Sequence, residues 1–201
     1  MRCLILIVLT AVFCHLTSDL CHLTPDLPLR DMAERSQDAA MDVQAKIMDP
    51  QALADRLQDL RSAGKQVVFT NGCFDILHIG HVRYLYAARN RGDLLVVGLN
   101  SDQSVRMIKE NRRPIVAENQ RLEIVASLQP VDYVTLFDEP DPLELIQLLK
   151  PSILVKGEDW AENKIIGAEF VKAGGGRVVR VPLVKEASTS KIIKTILDRY
   201  R

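Results

Sequence analysis

"VVFTNGCFDILHIGH", residues 67–81, sets an apolar run directly before two histidines and a glycine. Val67, Val68, Phe69 and Thr70 read as a buried strand. Gly72 allows the backbone to turn sharply and approach a ligand closely. The pattern from Ile79 to Arg91 then reads as a helix, which puts His81 in its first turn. Backbone N–H groups at a helix start have no partner within the helix, and they favour a phosphate. His78 and His81 are three residues apart, so one turn aims both imidazoles the same way. The competing account is a pair of incidental histidines capping a helix. Only four histidines occur in the chain, His15, His22, His78 and His81, and two of them fall here. That concentration favours an anion site.

Outward from this stretch the pattern is regular. Asp49 and Pro50 suit a helix start, Leu53, Leu57 and Leu60 recur at helical spacing, and Gly64 closes the helix. Five apolar runs follow: Val67 to Thr70, Leu94 to Leu99, Tyr133 to Phe137, Ile153 to Val155 and Val178 to Val181. Helical patterns separate them, over about Ile79–Arg91, Ser101–Lys109, Glu118–Leu128, Asp141–Leu149 and Lys164–Ala173, with a last helix over Ser188–Arg199. Such alternation predicts an α/β fold, a Rossmann-like open parallel five-stranded sheet with helices on both faces. In such a sheet ligands sit at the carboxyl ends of the strands.

The residues after each strand meet that expectation. "NSDQSVRMIKENRRPIV" follows the second, with Asn100 or Ser101 as helix cap and Lys109, Arg112 and Arg113 as a short basic cluster. Arg112 reads as a solvated charge, whereas Lys109 and Arg113 are candidates to face phosphate. Arg121 lies on the next helix, where most arginines are merely exposed. "VKGEDW" follows the fourth strand: Gly157 after Lys156 suits close approach of a ligand, Asp159 comes next, and Trp160 is expected to pack. Ser188, Thr189 and Ser190 open the last helix, where hydroxyls and free N–H groups make a second phosphate cradle or an ordinary cap. No G-x-x-x-x-G-K-[ST] occurs, and Gly174-Gly175-Gly176 precedes a strand rather than following one, so neither common glycine-rich phosphate loop accounts for the site.

A formal net charge of zero provides no global field to recruit nucleic acid, and sparse aromatics argue against a base-stacking surface. Three of the four cysteines, Cys3, Cys14 and Cys21, lie in the first 21 residues and Cys73 alone in the rest, which suits a reduced, intracellular domain. Arg2 and the apolar run Cys3–Phe13 look like a secretory leader, but the run falls short of the roughly 20 apolar residues a bilayer takes. A tandem repeat, "CHLTSDL" then "CHLTPDL", covers residues 14–27. Its Cys14, His15, Cys21 and His22 match no common zinc spacing, so no protein-held metal is expected. Residues 1–49 are expected to be a leader-like or disordered extension, with translated upstream sequence before a start at Met32, Met41 or Met48 as the favoured account.

His78-Ile79-Gly80-His81 and Ser188-Thr189-Ser190-Lys191-Ile192 resemble the two signatures of the H-x-G-H nucleotidyltransferase superfamily. Within it, "VVFTNGCFDILHIGHVRYL", "VVGLNSDQSV", "RPIVAENQR", "VDYV" and "ILVKGEDW" look most like the adenylyltransferases acting on D-glycero-β-D-manno-heptose 1-phosphate. The resemblance covers about residues 50–201. It implies that His78 and His81 hold the triphosphate and its developing charge, that Lys109 and Arg121 contact phosphates, and that Ser188, Thr189 and Ser190 cradle the β and γ phosphates. It also implies a nucleotide pocket lined by Thr70, Asn71, Gly72, Cys73, Phe74, Gly80, Lys156, Gly157 and Asp159, with Asp75 and Arg113 toward the sugar phosphate. Expected with it are ATP as substrate, Mg²⁺ held mainly by substrate phosphates, a homo-oligomer, and a cytoplasmic location where nucleotide is available. Family members often carry a sugar kinase ahead of this domain, and its absence here suits a stand-alone form. A glycerol-3-phosphate type cytidylyltransferase and a non-catalytic nucleotide-binding module are the alternatives.

Overall fold

The computed structural model describes residues 43–109, 112–184 and 186–200. The tandem repeat and the leader-like run lie outside the described residues.

Helix α1 (Pro50–Ser62) begins as its sequence dictates: the Asp49 side chain accepts hydrogen bonds from the N–H groups of Gln51 and Ala52, and Pro50 needs no donor there. It stops at Ala63, and Gly64 takes the positive φ of +80° that ends the turn. The remaining elements are β1 (Val67–Gly72), α2 (Ile79–Arg89), β2 (Leu94–Asn100), α3 (Asp102–Ile108), α4 (Glu118–Ala126), β3 (Tyr133–Phe137), α5 (Leu143–Leu149), β4 (Ile153–Gly157), α6 (Ala168–Ala173), β5 (Arg177–Val181) and α7 (Thr189–Arg199).

The five strands form one sheet in the order β3-β2-β1-β4-β5, every neighbouring pair parallel. Alternate side chains divide between two cores. Val67, Phe69, Leu94, Val96 and Leu154 meet Leu53 and Leu57 of α1, Leu145, Ile146 and Leu149 of α5, and Val171 of α6. Val68, Leu95, Val97, Leu99, Ile153 and Val155 meet Leu85 and Ala88 of α2 and Val125 and Ala126 of α4. This is the period of two expected of strands buried on both faces. Each fully buried leucine contributes about 2 kcal/mol of burial.

Three details differ from the sequence-based expectation. Strands β1, β2 and β4 run on to Gly72, Asn100 and Gly157, so Asn71, Gly72, Lys156 and Gly157 belong to strands rather than to the loops after them. The helix expected from Lys164 starts at Ala168, because Gly167 turns left-handed (φ +83°) where a Cβ would sit 2.6 Å from Ile146 Cδ1. Among the described residues, contacts with the sheet already occur at Val43 and Ile47, before the boundary expected at residue 50. Ile47 bridges Val134 in parallel, Met48 N–H donates to Val134 O at 3.0 Å, and Val134 N–H donates to Lys46 O at 2.8 Å. Residues 46–48 thereby cover the outer edge of β3, which would otherwise expose unpaired backbone groups.

Candidate active site

Chain progression across the sheet reverses between β1 and β4, the point at which such a sheet leaves a crevice outside the carboxyl ends of its strands. Strands β1 and β2 pair over six rungs, Val67–Leu94 through Gly72–Leu99. Strands β1 and β4 pair only at Val68–Ile153 and Phe69–Leu154. Beyond those rungs side chains span the gap. The Lys156 ammonium donates to Asn71 Oδ1 and lies 5.7 Å from the centroid of the Trp160 ring. Burial pushes the Lys156 amine down to about 8, and the negative charge of Asp159 works against that fall. Trp160, expected to pack, is 44% exposed beside this lysine. At Gly157 an added Cβ would meet the ends of two exposed side chains, Asp159 Oδ1 and Leu183 Cδ1, which would have to move aside.

Helix α2 opens beside the same crevice. His78 is its N-cap, and its Nδ1 accepts the Gly80 N–H at 3.1 Å. That bond leaves the proton of the neutral ring on Nε2, as a free donor. Gly80 is required between the histidines because a Cβ would stand 2.8 Å from His78 Cε1 and Nδ1. The rings of His78 and His81 stack with centroids 3.8 Å apart, and Phe74 tilts against His81 at 5.2 Å. His81 Nδ1 is buried without a hydrogen-bond partner. Burial, then repulsion by His78, lowers His81 to about 4, and burial lowers His78 as well. Both imidazoles are therefore neutral at pH 7.

The sharp turn after β1 falls at Phe74 (φ +44°), not at Gly72. Gly72 serves by being small, since a Cβ would lie 3.0 Å from the Phe74 ring. Just beyond it the Asp75 carboxylate is buried. It accepts the N–H groups of Ile115 at 2.9 Å and Val116 at 2.8 Å and is paired with Arg113 Nε. Burial would raise this carboxyl, but the Val116 and Ile115 N–H groups and the Arg113 guanidinium outweigh it and hold it below the usual range. Asp75 and Arg113, expected toward the sugar phosphate, are committed to each other.

Arg121 is also placed differently from its expected role. It is 0% exposed. Its guanidinium donates to Val116 O at 2.9 Å, to Cys73 O, and to Asp102 Oδ1 at 2.8 Å. It ties the turn after β1, the loop before α4 and the start of α3 into one block, so its guanidinium is engaged with the protein. Burial raises the Cys73 thiol, against the positive charges of Lys109, Arg121 and Arg113. Lys109 is exposed at the C-cap of α3, and its positive charge acts on that thiol.

The second helix start joins the first. Ser188 caps α7 by accepting the Lys191 N–H at 3.2 Å. Thr189 is buried and donates to Ile76 O at 3.1 Å, which seats α7 against the turn leading into α2. Ala187 Cβ lies 3.4 Å from where a Gly80 Cβ would be. The first turns of α2 and α7 thus lie side by side, with Ser188 and Ser190 exposed; in α2 the N–H groups of Gly80 and His81 are taken by His78, and in α7 that of Lys191 is taken by Ser188. Thr189 is used for anchoring. Thr70 is fully buried, with its hydroxyl bonded to Tyr84 at 2.7 Å. Tyr84 was missed by sequence reasoning. Its position three residues after His81 marks the same helix face, but its partners lie on two strands.

Residues 69–195 match the family model described as cytidylyltransferase-like. Curated relatives named "Bifunctional protein HldE" include those of Syntrophotalea carbinolica, 49% identical over 172 residues (86% of this chain, 35% of the relative), and Trichlorobacter lovleyi, 50% identical over 159 residues (79% and 32%). That of Citrifermentans bemidjiense is 51% identical over 161 residues (80% and 33%). The chain spans about a third of the length of these relatives. A solved structure, the lipopolysaccharide core biosynthesis protein from Thermoplasma volcanium GSS1, is 35% identical, covers 61% of this chain and 98% of its own, and has a TM-score of 0.49. With the family model covering well over half of its length, the chain belongs to the cytidylyltransferase-like family and is a nucleotidyltransferase.

Proposed function

We propose that this chain joins ATP and D-glycero-β-D-manno-heptose 1-phosphate to form ADP-heptose and pyrophosphate, a precursor step for lipopolysaccharide core or other surface glycan. The observation that carries it is the stacked, neutral pair His78 and His81 beside two adjacent helix starts at the β1–β4 crevice. The sequence resemblance of five separate stretches to heptose 1-phosphate adenylyltransferases selects the substrates.

A phosphate oxygen of the sugar attacks the α-phosphorus in line. The bond from that phosphorus to the bridging oxygen breaks, and pyrophosphate leaves with the electron pair. No protein nucleophile takes part, so the chain's work is positioning and charge stabilisation. His78 donates from Nε2 to phosphate oxygen, and neutral His81 stacks behind it. The start of α7, with the Ser188 and Ser190 hydroxyls, receives the β and γ phosphates beside the start of α2, and Lys109 adds a positive charge. Asn71, Lys156, Gly157 and Asp159 border the nucleoside, and Cys73 and Phe74 line the turn beneath it. Asp75, Arg113, Arg121, Thr70 and Thr189 hold these groups in place.

Among the described residues no cluster of three His, Cys, Asp or Glu side chains is arranged to hold a metal ion, and Asp75 is already paired. The donor set fits a magnesium ion carried by phosphate oxygens and water. When bound, magnesium neutralises phosphate charge. Among the described residues no helix is long and apolar enough to cross a membrane. The proposed setting is the cytoplasm, where ATP is available, and the proposed assembly is a homo-oligomer.

The test is a screen of each nucleoside triphosphate against phosphorylated sugars and alcohols, scored by pyrophosphate release. ATP with the heptose 1-phosphate should lead. CTP with glycerol 3-phosphate in front would assign the cytidylyltransferase activity instead, and nucleotide binding without release from any pair would mark a non-catalytic module.

A further inference from the structure

Backbone pairing between β1 and β4 ends at Phe69–Leu154, and the next rung in register is Thr70–Val155. That rung is made by a side chain. Tyr84 of α2 donates its hydroxyl proton to Val155 O at 3.1 Å. Its oxygen lies 2.7 Å from Thr70 Oγ1. A phenol has one proton, and it goes to the carbonyl, so Thr70 must donate to Tyr84. The following rung, Asn71–Lys156, is also bridged by side chains, the ammonium of Lys156 on Asn71 Oδ1. Strand alternation turns Thr70 toward the α2 face and Asn71 toward the opposite one, so the two bridges lie on opposite faces of the sheet.

Tyr84 is partly buried, and burial around its hydroxyl raises it well above the ordinary phenol value, so it stays protonated and keeps donating. Without it, Val155 O and Thr70 Oγ1 would lose this partner at residues that are fully buried. Tyr84 is also one turn from His81 on the same helix. A single hydroxyl therefore ties the helix that carries both imidazoles to the two strands flanking the crevice.

We propose that Tyr84 is a positioning residue, which sets the width of the β1–β4 crevice and fixes His78 and His81 relative to it through the chain Thr70–Tyr84–Val155. The kinetic part of its test rests on the nucleotidyl-transfer activity proposed above, whereas the spectroscopic part does not.

The full chain is labelled with ¹⁵N-histidine, and the imidazole signals are compared between the parent, Tyr84→Phe, Thr70→Val and Thr70→Ser. Tyr84→Phe should shift the His78 and His81 signals while leaving His15 and His22 in place. Thr70→Val should shift the same two signals, and Thr70→Ser, which keeps the hydroxyl, should restore them. In the best nucleotide–acceptor pair, Tyr84→Phe should lower kcat roughly tenfold with KM for nucleotide changed less than twofold, the pattern of a lost transition-state arrangement. The double variant Thr70→Val/Tyr84→Phe should be no slower than Tyr84→Phe alone, because one hydroxyl acts through the other. Should Tyr84→Phe fail to fold, the Thr70 pair decides by the same signals. Imidazole signals unmoved in the folded variants, or losses that multiply in the double variant, would overturn the proposal. If the parent protein releases pyrophosphate from no pair, the activity is refuted, and the imidazole signals still decide the role of Tyr84.

Discussion

His78 and His81 stack face to face, ring centroids 3.8 Å apart and planes inclined by 22°. Two protonated rings at that separation would repel, and the burial around them disfavours either charge. The pair is held neutral, His81 most strongly, with its value lowered from 6.5 to about 4.

That shift makes stability depend on pH. Between about 4 and 6.5 the unfolded chain binds a proton at His81 that the folded chain refuses, so acid favours unfolding and stability rises with pH across this window. From the shift, stability at pH 5 should be about 2 kcal/mol below that at pH 7. Thermal melts over this range should show the slope, and His81→Phe should flatten it. An unchanged slope in that variant would remove His81 as its source.

Gly80 should be as sensitive as the histidines it separates. Gly80→Ala places a methyl group 2.8 Å from the His78 ring, which must swing off the Gly80 N–H and out of the stack. Pyrophosphate release should fall roughly 10²-fold, the scale of a lost transition-state donor, with little change in melting temperature. His78→Ala should match it, and the double variant should be no slower than either. A Gly80→Ala enzyme at full rate would refute the geometric account of the motif.

Arg121 should behave as a structural tie. Arg121→Ala leaves Cys73 O, Val116 O and Asp102 without their donor, at a cost of about 3 kcal/mol. Urea unfolding should register that loss, and Arg121→Lys, which cannot span three partners, should recover only part of it. A variant of unaltered stability but abolished turnover would instead return Arg121 to direct phosphate contact.

Asp75→Asn should loosen the loop that Arg113, Ile115 and Val116 bring to the turn after β1. Amide exchange at Ile115 and Val116 should quicken, and KM for nucleotide should rise several-fold, more than kcat falls. The folded value of Asp75 is depressed, so its stabilisation is complete above the ordinary value of 3.8 and is lost only as pH falls further. It should therefore contribute nothing to the slope between pH 5 and 7. Unaltered exchange in the variant would show that the loop is held by other means.

Much of this protein was legible in its chain alone. Apolar runs alternating with helical patterns determine a parallel sheet covered on both faces, because buried strands and amphipathic helices leave few other ways to remove that surface from water. Asp49, Gly64, Ser101 and Ser188 mark helix ends through local hydrogen bonds and backbone angles, and the structure has each at such an end. His78, Gly80 and His81 also signalled themselves, because their spacing is local to one helical turn. What the tertiary structure alone decided is which polar groups remain free. Arg121, Asp75 and Thr70 have the same chemistry as ligand-binding groups, and only partners distant in sequence, such as Asp102, Arg113 and Tyr84, reveal that their hydrogen bonds are already taken. A sequence records donors and acceptors one residue at a time, whereas their satisfaction depends on where the chain returns.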